Sequence, residues 1–224
     1  MHTSEDLWKS DLMKQERVKS VFDSADLAEP CFVPQGGAMS AAKEGIFDLC
    51  KELEIFMEDR KHPVKPWKIY FASGTGTMAL FAAQYFHTIR QQKSPTNSVE
   101  IVAIPCMGDE HILLQNMVAL DKRCDALTVF PAILPTNLAP PHMFGQPSIR
   151  HYEIWQRLQA STGCDFDLLY APRAFEIMLS CAADSSQSLG GFEDDVNVLY
   201  YHCGGVEGNR SQLQRYKYLK LIPS

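Results

Sequence analysis

The stretch WKIYFASGTGTMALFAAQYFHTIRQ, residues 67–91, decides the fold. Trp67 to Ala72 is a mostly apolar, β-prone run, Ser73-Gly-Thr-Gly-Thr77 is a turn of small residues, and Met78 to Gln91 is an apolar segment of helical length. Strand, tight turn and helix in that order make one βα unit. The unit recurs downstream, where Val99 to Ile104 reads as a strand, Pro105 to Gly108 as a turn and Asp109 to Leu120 as a helix. Upstream, an extended Cys31-Phe-Val-Pro34 leads through the turn Gln35-Gly-Gly37 into a helix predicted over 38–58. There Ile46, Leu49, Cys50, Leu53 and Phe56 recur at helical spacing while Lys43, Glu44, Lys51 and Glu52 keep to the polar side. Alternating β and α segments joined by short turns predict an α/β fold: a mostly parallel open sheet with helices on both faces.

Farther along, five prolines between Pro131 and Pro147 make most of 125–147 a loop, with Leu127 to Phe130 as a short strand within it. Tyr152 to Thr162 is expected to be a helix stopped by Gly163, Arg173 to Ala183 another, and Asn197 to Tyr201 the last strand, running into His202-Cys-Gly-Gly205. Residues 4–20 carry Leu7, Trp8, Leu12 and Val18 on an otherwise polar helical pattern. The expected organisation is therefore a helical appendage over 1–29 and an α/β domain over 30–224.

The 224 residues, 46% hydrophobic and 21% charged, have ordinary globular composition. Twenty-one basic against 27 acidic residues give a net charge of −6, so the chain lacks the basic field that draws proteins to phosphate backbones, and nucleic acid is not expected as a partner. The seven cysteines are scattered and never form CxxC, the pattern of reduced thiols rather than of a disulfide framework or a zinc knuckle. No stretch approaches the ~18 uninterrupted apolar residues of a membrane span, and the N-terminus has no apolar leader core. A cytoplasmic protein is expected.

Three turns could carry chemistry. Ser73, Gly74, Thr75, Gly76 and Thr77 lie between a strand and a helix, where free N–H groups and the positive helix end favour an anion such as a phosphate; glycine-rich βα turns also serve as plain structural corners. The spacing is neither GxGxxG nor a loop ending in GK[ST], which disfavours nucleoside triphosphate hydrolysis. His202 to Gly205 follows a strand, at the edge where open α/β sheets place their ligands. His202 and Cys203 read either as a catalytic dyad or as a packed histidine and a thiol before a turn; neighbouring strand residues point to opposite faces, which favours the second. Tyr170, in Asp167-Leu-Leu-Tyr-Ala-Pro-Arg-Ala174, reads either as a proton donor and stacking ring or as a half-buried aromatic. Gly108-Asp-Glu-His111 lacks metal-ligand spacing, and no metal is assigned.

In order, PQGG (34–37), SGTGT (73–77), FGQP (144–147), DLLYAPRA (167–174) and HCGGVEGN (202–209) resemble the family of 1-aminocyclopropane-1-carboxylate deaminase and D-cysteine desulfhydrase. These are pyridoxal-phosphate enzymes of the tryptophan-synthase-β-like fold. The resemblance implies that Ser73 to Thr77 cradle the phosphate of pyridoxal 5'-phosphate and that Tyr170 is the active-site tyrosine beside cofactor and substrate. It also implies that Cys203 faces the pyridine nitrogen, with Gly204 and Gly205 completing the turn. Cys203 departs from the threonine common there, and a thiol is the weaker donor. The larger departure concerns the Schiff-base lysine and the small substrate-binding domain, which in the family precede the PQGG-like turn. Here Lys9, Lys14 and Lys19 lie in a charged helical stretch without the family's asparagine-lysine motif.

Two readings follow. In the first the chain is the cofactor-cradling large domain of a deaminase or desulfhydrase acting on a small amino acid, an incomplete copy or one half of a split enzyme, inactive alone and paired as a homodimer or with a complementing chain. In the second it is a non-catalytic descendant that binds a phosphate-bearing ligand or a partner. A third, an unrelated nucleotide-binding domain, requires an acidic ribose ligand; Glu100 stands at the wrong end of its strand.

Overall fold

A computed structural model describes residues 32–59, 62, 64–92, 98–184 and 195–223. The appendage expected over 1–29 lies outside these residues. Trp67–Ser73 forms β1, and Thr77–Gln92 the helix α2 that follows the glycine-rich turn; Ala42–Glu58 is α1. Val99–Pro105 is β2, Glu110–Arg123 α3, Ala132–Ile133 the two-residue β3, Ile149–Thr162 α4 and Ala171–Ala183 α5. Asn197–Tyr201 is β4, and Asn209–Tyr218 forms α6. All pairings are parallel, in the order β3-β2-β1-β4.

Strand alternation sorts the core into two layers. Ile69, Phe71, Ile101, Ala103 and Leu199 point to one face and pack on Cys50 and Leu53 of α1, Leu80 and Phe81 of α2 and Leu113 and Met117 of α3. Tyr70, Val102, Ile104 and Tyr200 point to the other, against Ala174, Ile177, Met178 and Cys181 of α5. The expected parallel sheet with helices on both faces is the observed one. A smaller aromatic cluster, with Trp155, Phe166 and Tyr216 buried, ties α4 and α6 to the irregular segment that leads into α5.

Differences from the sequence reading have local causes. Leu127 to Phe130 is not a strand. Ala126 and Thr128 adopt positive φ, and the buried Asp121 carboxylate accepts the N–H groups of Leu127 and Thr128, both at 3.1 Å, so the chain turns there and reaches the sheet only at Ala132. Phe32 to Pro34 is irregular and joins no sheet, α1 begins at Ala42 rather than 38, and α6 has no counterpart in the sequence reading.

Asp121 also accepts from the Gln84 amide of α2 at 2.7 Å. Asp121→Ala would strand three donors in or near the core and is expected to destabilise the fold by roughly 3 kcal/mol, read from the shift of the urea midpoint.

Candidate functional site

Consecutive strands β1, β2 and β3 step in one direction, with α2 and α3 on one face; the chain then returns past α4 and α5 on the other face and lays β4 on the far side of β1. The strand order therefore reverses between β1 and β4. At such a switch point the loops leaving the two carboxyl ends part and open a crevice. Those loops are Ser73 to Thr77 and His202 to Gly205, and a cleft of about 340 Å³ lies between them.

The residues that the resemblance assigns to cofactor and substrate line this cleft: Ser73, Gly74, Thr75, Gly76 and Thr77 from the first loop, Cys203, Gly204 and Gly205 from the second, and Tyr170 from the start of α5; His202 is not among the lining residues. Residues 73 and 203 are far apart in the chain; topology alone brings them together. The N–H groups of the first turn of α2 have no intrahelical acceptors and stand at the positive end of its dipole. Two of the three hydroxyl protons of the loop are already engaged. Ser73 Oγ donates to the Phe71 carbonyl at 3.0 Å, and the Thr75 and Thr77 hydroxyls share a hydrogen bond of 2.9 Å. The donors this loop leaves free are therefore its backbone N–H groups and one threonine hydroxyl.

Glycines of these turns are held small by what lies against them; a Cβ on Gly76, at φ +81°, would meet Met117 Cγ at 2.5 Å. A Cβ on Gly36, at φ +66°, would stand 2.3 Å from Thr75 Oγ1, so the PQGG turn packs directly on the loop. A Cβ on Gly74 would meet Met107 Sδ at 3.0 Å and the Tyr170 hydroxyl at 3.2 Å. Tyr170 thus leans over the loop. Its hydroxyl is 3.8 Å from Met107 Sδ, and its ring lies 5.0 Å from that of Phe144, which brings the FGQP motif to the site. Burial, with smaller contributions from Cys106, Asp167 and Cys203, raises the phenol above its ordinary range, so it keeps its proton at neutral pH.

Asp167, quoted in a motif but given no role from sequence, anchors this corner. Its carboxylate accepts the N–H groups of Leu169 at 3.0 Å and of Tyr170, in the turn that leads into α5, and of Ala171, the first residue of the helix, at 3.1 Å. An aspartate shortly before a Pro172 at the second helical position is the signal that would have found it. His202 Nε2 lies 3.5 Å from Asp167 Oδ2 and accepts the Asp167 N–H at 3.3 Å. Cys203 Sγ is 3.8 Å from the Tyr201 carbonyl instead, so the two side chains are engaged separately and the packed-histidine reading fits the geometry better than a dyad. Asn209, the last residue of HCGGVEGN, accepts from Leu168 N and donates to Phe166 O, each at 2.8 Å. It clasps the second loop to the approach of α5. Tyr200 and Gln212 also line the cleft and were not foreseen; Gln212 belongs to the unpredicted α6.

No group of three or more metal-ligating side chains occurs among the described residues, nor does any described helix have the length and apolarity to cross a membrane. Glu100, at the start of β2, lies 4.0 Å from Lys68.

No family model matches the sequence, and no curated protein matches it. Among solved structures, the chain is similar to a crystal structure described as that of an ACC deaminase homologue, with a TM-score of 0.66 and 18% identity over 96% of this chain. The chain spans 61% of the length of that protein. The fold is thus the ACC-deaminase-like α/β fold, a parallel sheet flanked by helices.

The Cys203 thiol opens to solvent, yet the surrounding protein and then the Asp167 charge push it up to about 11. At pH 8 its alkylation by iodoacetamide is expected to be up to about a hundredfold slower than in the denatured chain, rising with pH toward 11. Peptide mapping of the adduct measures this, and in Asp167→Asn the rise shifts to lower pH because one of the two causes is gone.

Proposed function

We propose that the cleft binds pyridoxal 5'-phosphate. Ser73 to Thr77 receive the phosphate on backbone N–H groups, Cys203 faces the ring nitrogen with Gly204 and Gly205 forming the turn beside it, and Tyr170 stands by the ring and the substrate. The observation that carries this reading is the meeting of three separate sequence motifs at one switch-point cleft, on the fold of an ACC deaminase homologue. The donor set fits the group: the first turn of α2 offers free N–H groups to a phosphate, and Gly204, with nothing within 4 Å of where a Cβ would stand, leaves the second loop open beside the ring.

When bound, the cofactor supplies an electron sink for charge developing next to an amino group. The chain's own residues bind, orient and keep protons in place. Tyr170 holds its phenolic proton and is able to donate it. Cys203 keeps its proton on Sγ, so it offers the ring nitrogen only a weak hydrogen bond and no counter-charge. The substrate class is a small amino acid, 1-aminocyclopropane-1-carboxylate or D-cysteine.

Among the described residues, none that lines the cleft is a lysine. This supports the further reading that the chain holds the cofactor without a covalent bond and does not turn over substrate by itself. Full activity then needs a complementing chain or segment, and without one the protein serves as a binder of a phosphate-bearing ligand.

Titration of the purified chain with pyridoxal 5'-phosphate is expected to show saturable binding that inorganic phosphate competes away and that Gly74→Val weakens at least about tenfold. Borohydride reduction followed by peptide mapping should yield no stoichiometric phosphopyridoxyl-lysine. A single stoichiometric adduct would overturn the non-covalent reading, and binding indifferent to Gly74→Val would overturn the site.

A further inference from the structure

The segment joining β3 to α4 is fastened at both ends. Leu134 is buried and its N–H reaches the Ala103 carbonyl at 3.0 Å; Thr136 gives both N–H and hydroxyl to Glu110 Oε2, at 3.1 and 2.7 Å; Ala139 is buried. At the far end Ser148 N–H reaches the Tyr216 hydroxyl at 3.2 Å. Between them the chain runs at the surface, with Met143 73% exposed, yet it delivers Phe144 to Tyr170.

Two contacts hold this middle part. Arg173 Nη1 donates to the Pro140 carbonyl at 2.8 Å, and the His142 ring lies on that of His151, centroids 4.0 Å apart. Both anchors converge on one carboxylate: Glu176 accepts from Arg173 at 2.6 Å, lies 3.1 Å from His151 Nε2, and has Arg150 Nε 2.5 Å from its other oxygen. Arg173, His151 and Glu176 are all at least 95% buried. A buried ion cluster is costly in desolvation and is poor evidence for stability by itself. Its geometric effect is definite, because Arg173 stands one helical turn after Tyr170 on α5 and so ties the segment to the element that carries the tyrosine. Burial, then His151 and Arg173, with Arg150 adding and Glu176 opposing, push the His142 imidazole down to about 4. Near pH 7 it stacks as a neutral ring.

We propose that Arg173 and His142 are positioning residues of the cleft: through the Pro140 carbonyl and the stack on His151 they hold residues 140–144 so that Phe144 buttresses the Tyr170 ring. Its importance for ligand affinity rests on the reading above, in which Tyr170 faces the cofactor; the buttress itself does not.

The test encodes 3-fluorotyrosine at position 170 of the full chain and follows its fluorine resonance. Phe144→Ala is expected to move the resonance, His142→Ala and Arg173→Met to move it in the same direction, and His142→Phe, which keeps a stacked ring, to leave it in place. In parallel, affinity for pyridoxal 5'-phosphate is expected to fall about fivefold in His142→Ala and to recover in His142→Phe. A resonance that Phe144→Ala moves but His142→Ala and Arg173→Met do not would overturn the proposal, as would one that no variant moves. Should Arg173→Met fail to fold, the half-buried loop position His142 decides. Should the unsubstituted chain bind no cofactor, the functional reading fails while the resonance still decides the positioning.

Discussion

Three backbone N–H groups turn toward the Asp167 carboxylate, and most of the site hangs from that convergence. The turn into α5 is fixed there, and the first N–H of the helix finds an acceptor; Tyr170 is aimed because its own N–H is one of the three; the second loop is placed because His202 and the Gly205 turn close on the same residue. A buried carboxylate is stable only where its oxygens are hydrogen-bonded, and here the backbone supplies the bonds. The same charge adds to the burial that raises the Cys203 thiol, so the group that builds the corner also bears on the protonation of the cleft beside it.

The fold was largely legible because β1 and β2 are short apolar runs, buried on both faces of the sheet. Their length, the helical spacing of α1 and the glycines of the turns that follow the strands all point to the same βα alternation. The exceptions arise where a distant side chain overrides local preference. Leu127 to Phe130 has strand composition, yet Asp121, from the end of a helix, takes its N–H groups and bends it away. Helix α6 is polar, with only Tyr216 buried, so it has no apolar stripe to read.

Of the site, the loops were legible and the supports were not. Glycine-rich turns after strands announce themselves by composition. The roles of Asp167, Asn209 and Phe144 depend on which backbone groups or rings lie opposite them, and these come from other elements. Of the hydroxyls of Ser73, Thr75 and Thr77, which look from sequence like three ready donors, two give their protons to the loop's own neighbourhood. Only their number and placement could be read, not their availability.

The order of the strands has a consequence for the chain as it is made. β1 is paired on one side by β2 soon after it is synthesised, but its other side waits for β4, the pairing most distant in sequence within the sheet. Until Asn197 to Tyr201 leave the ribosome, the central strand is an open edge flanked by apolar Ile69, Phe71 and Tyr70. Such an exposed edge invites pairing with another chain. The nascent protein therefore passes through a window in which a chaperone, or a second nascent copy, competes for the position that β4 finally fills.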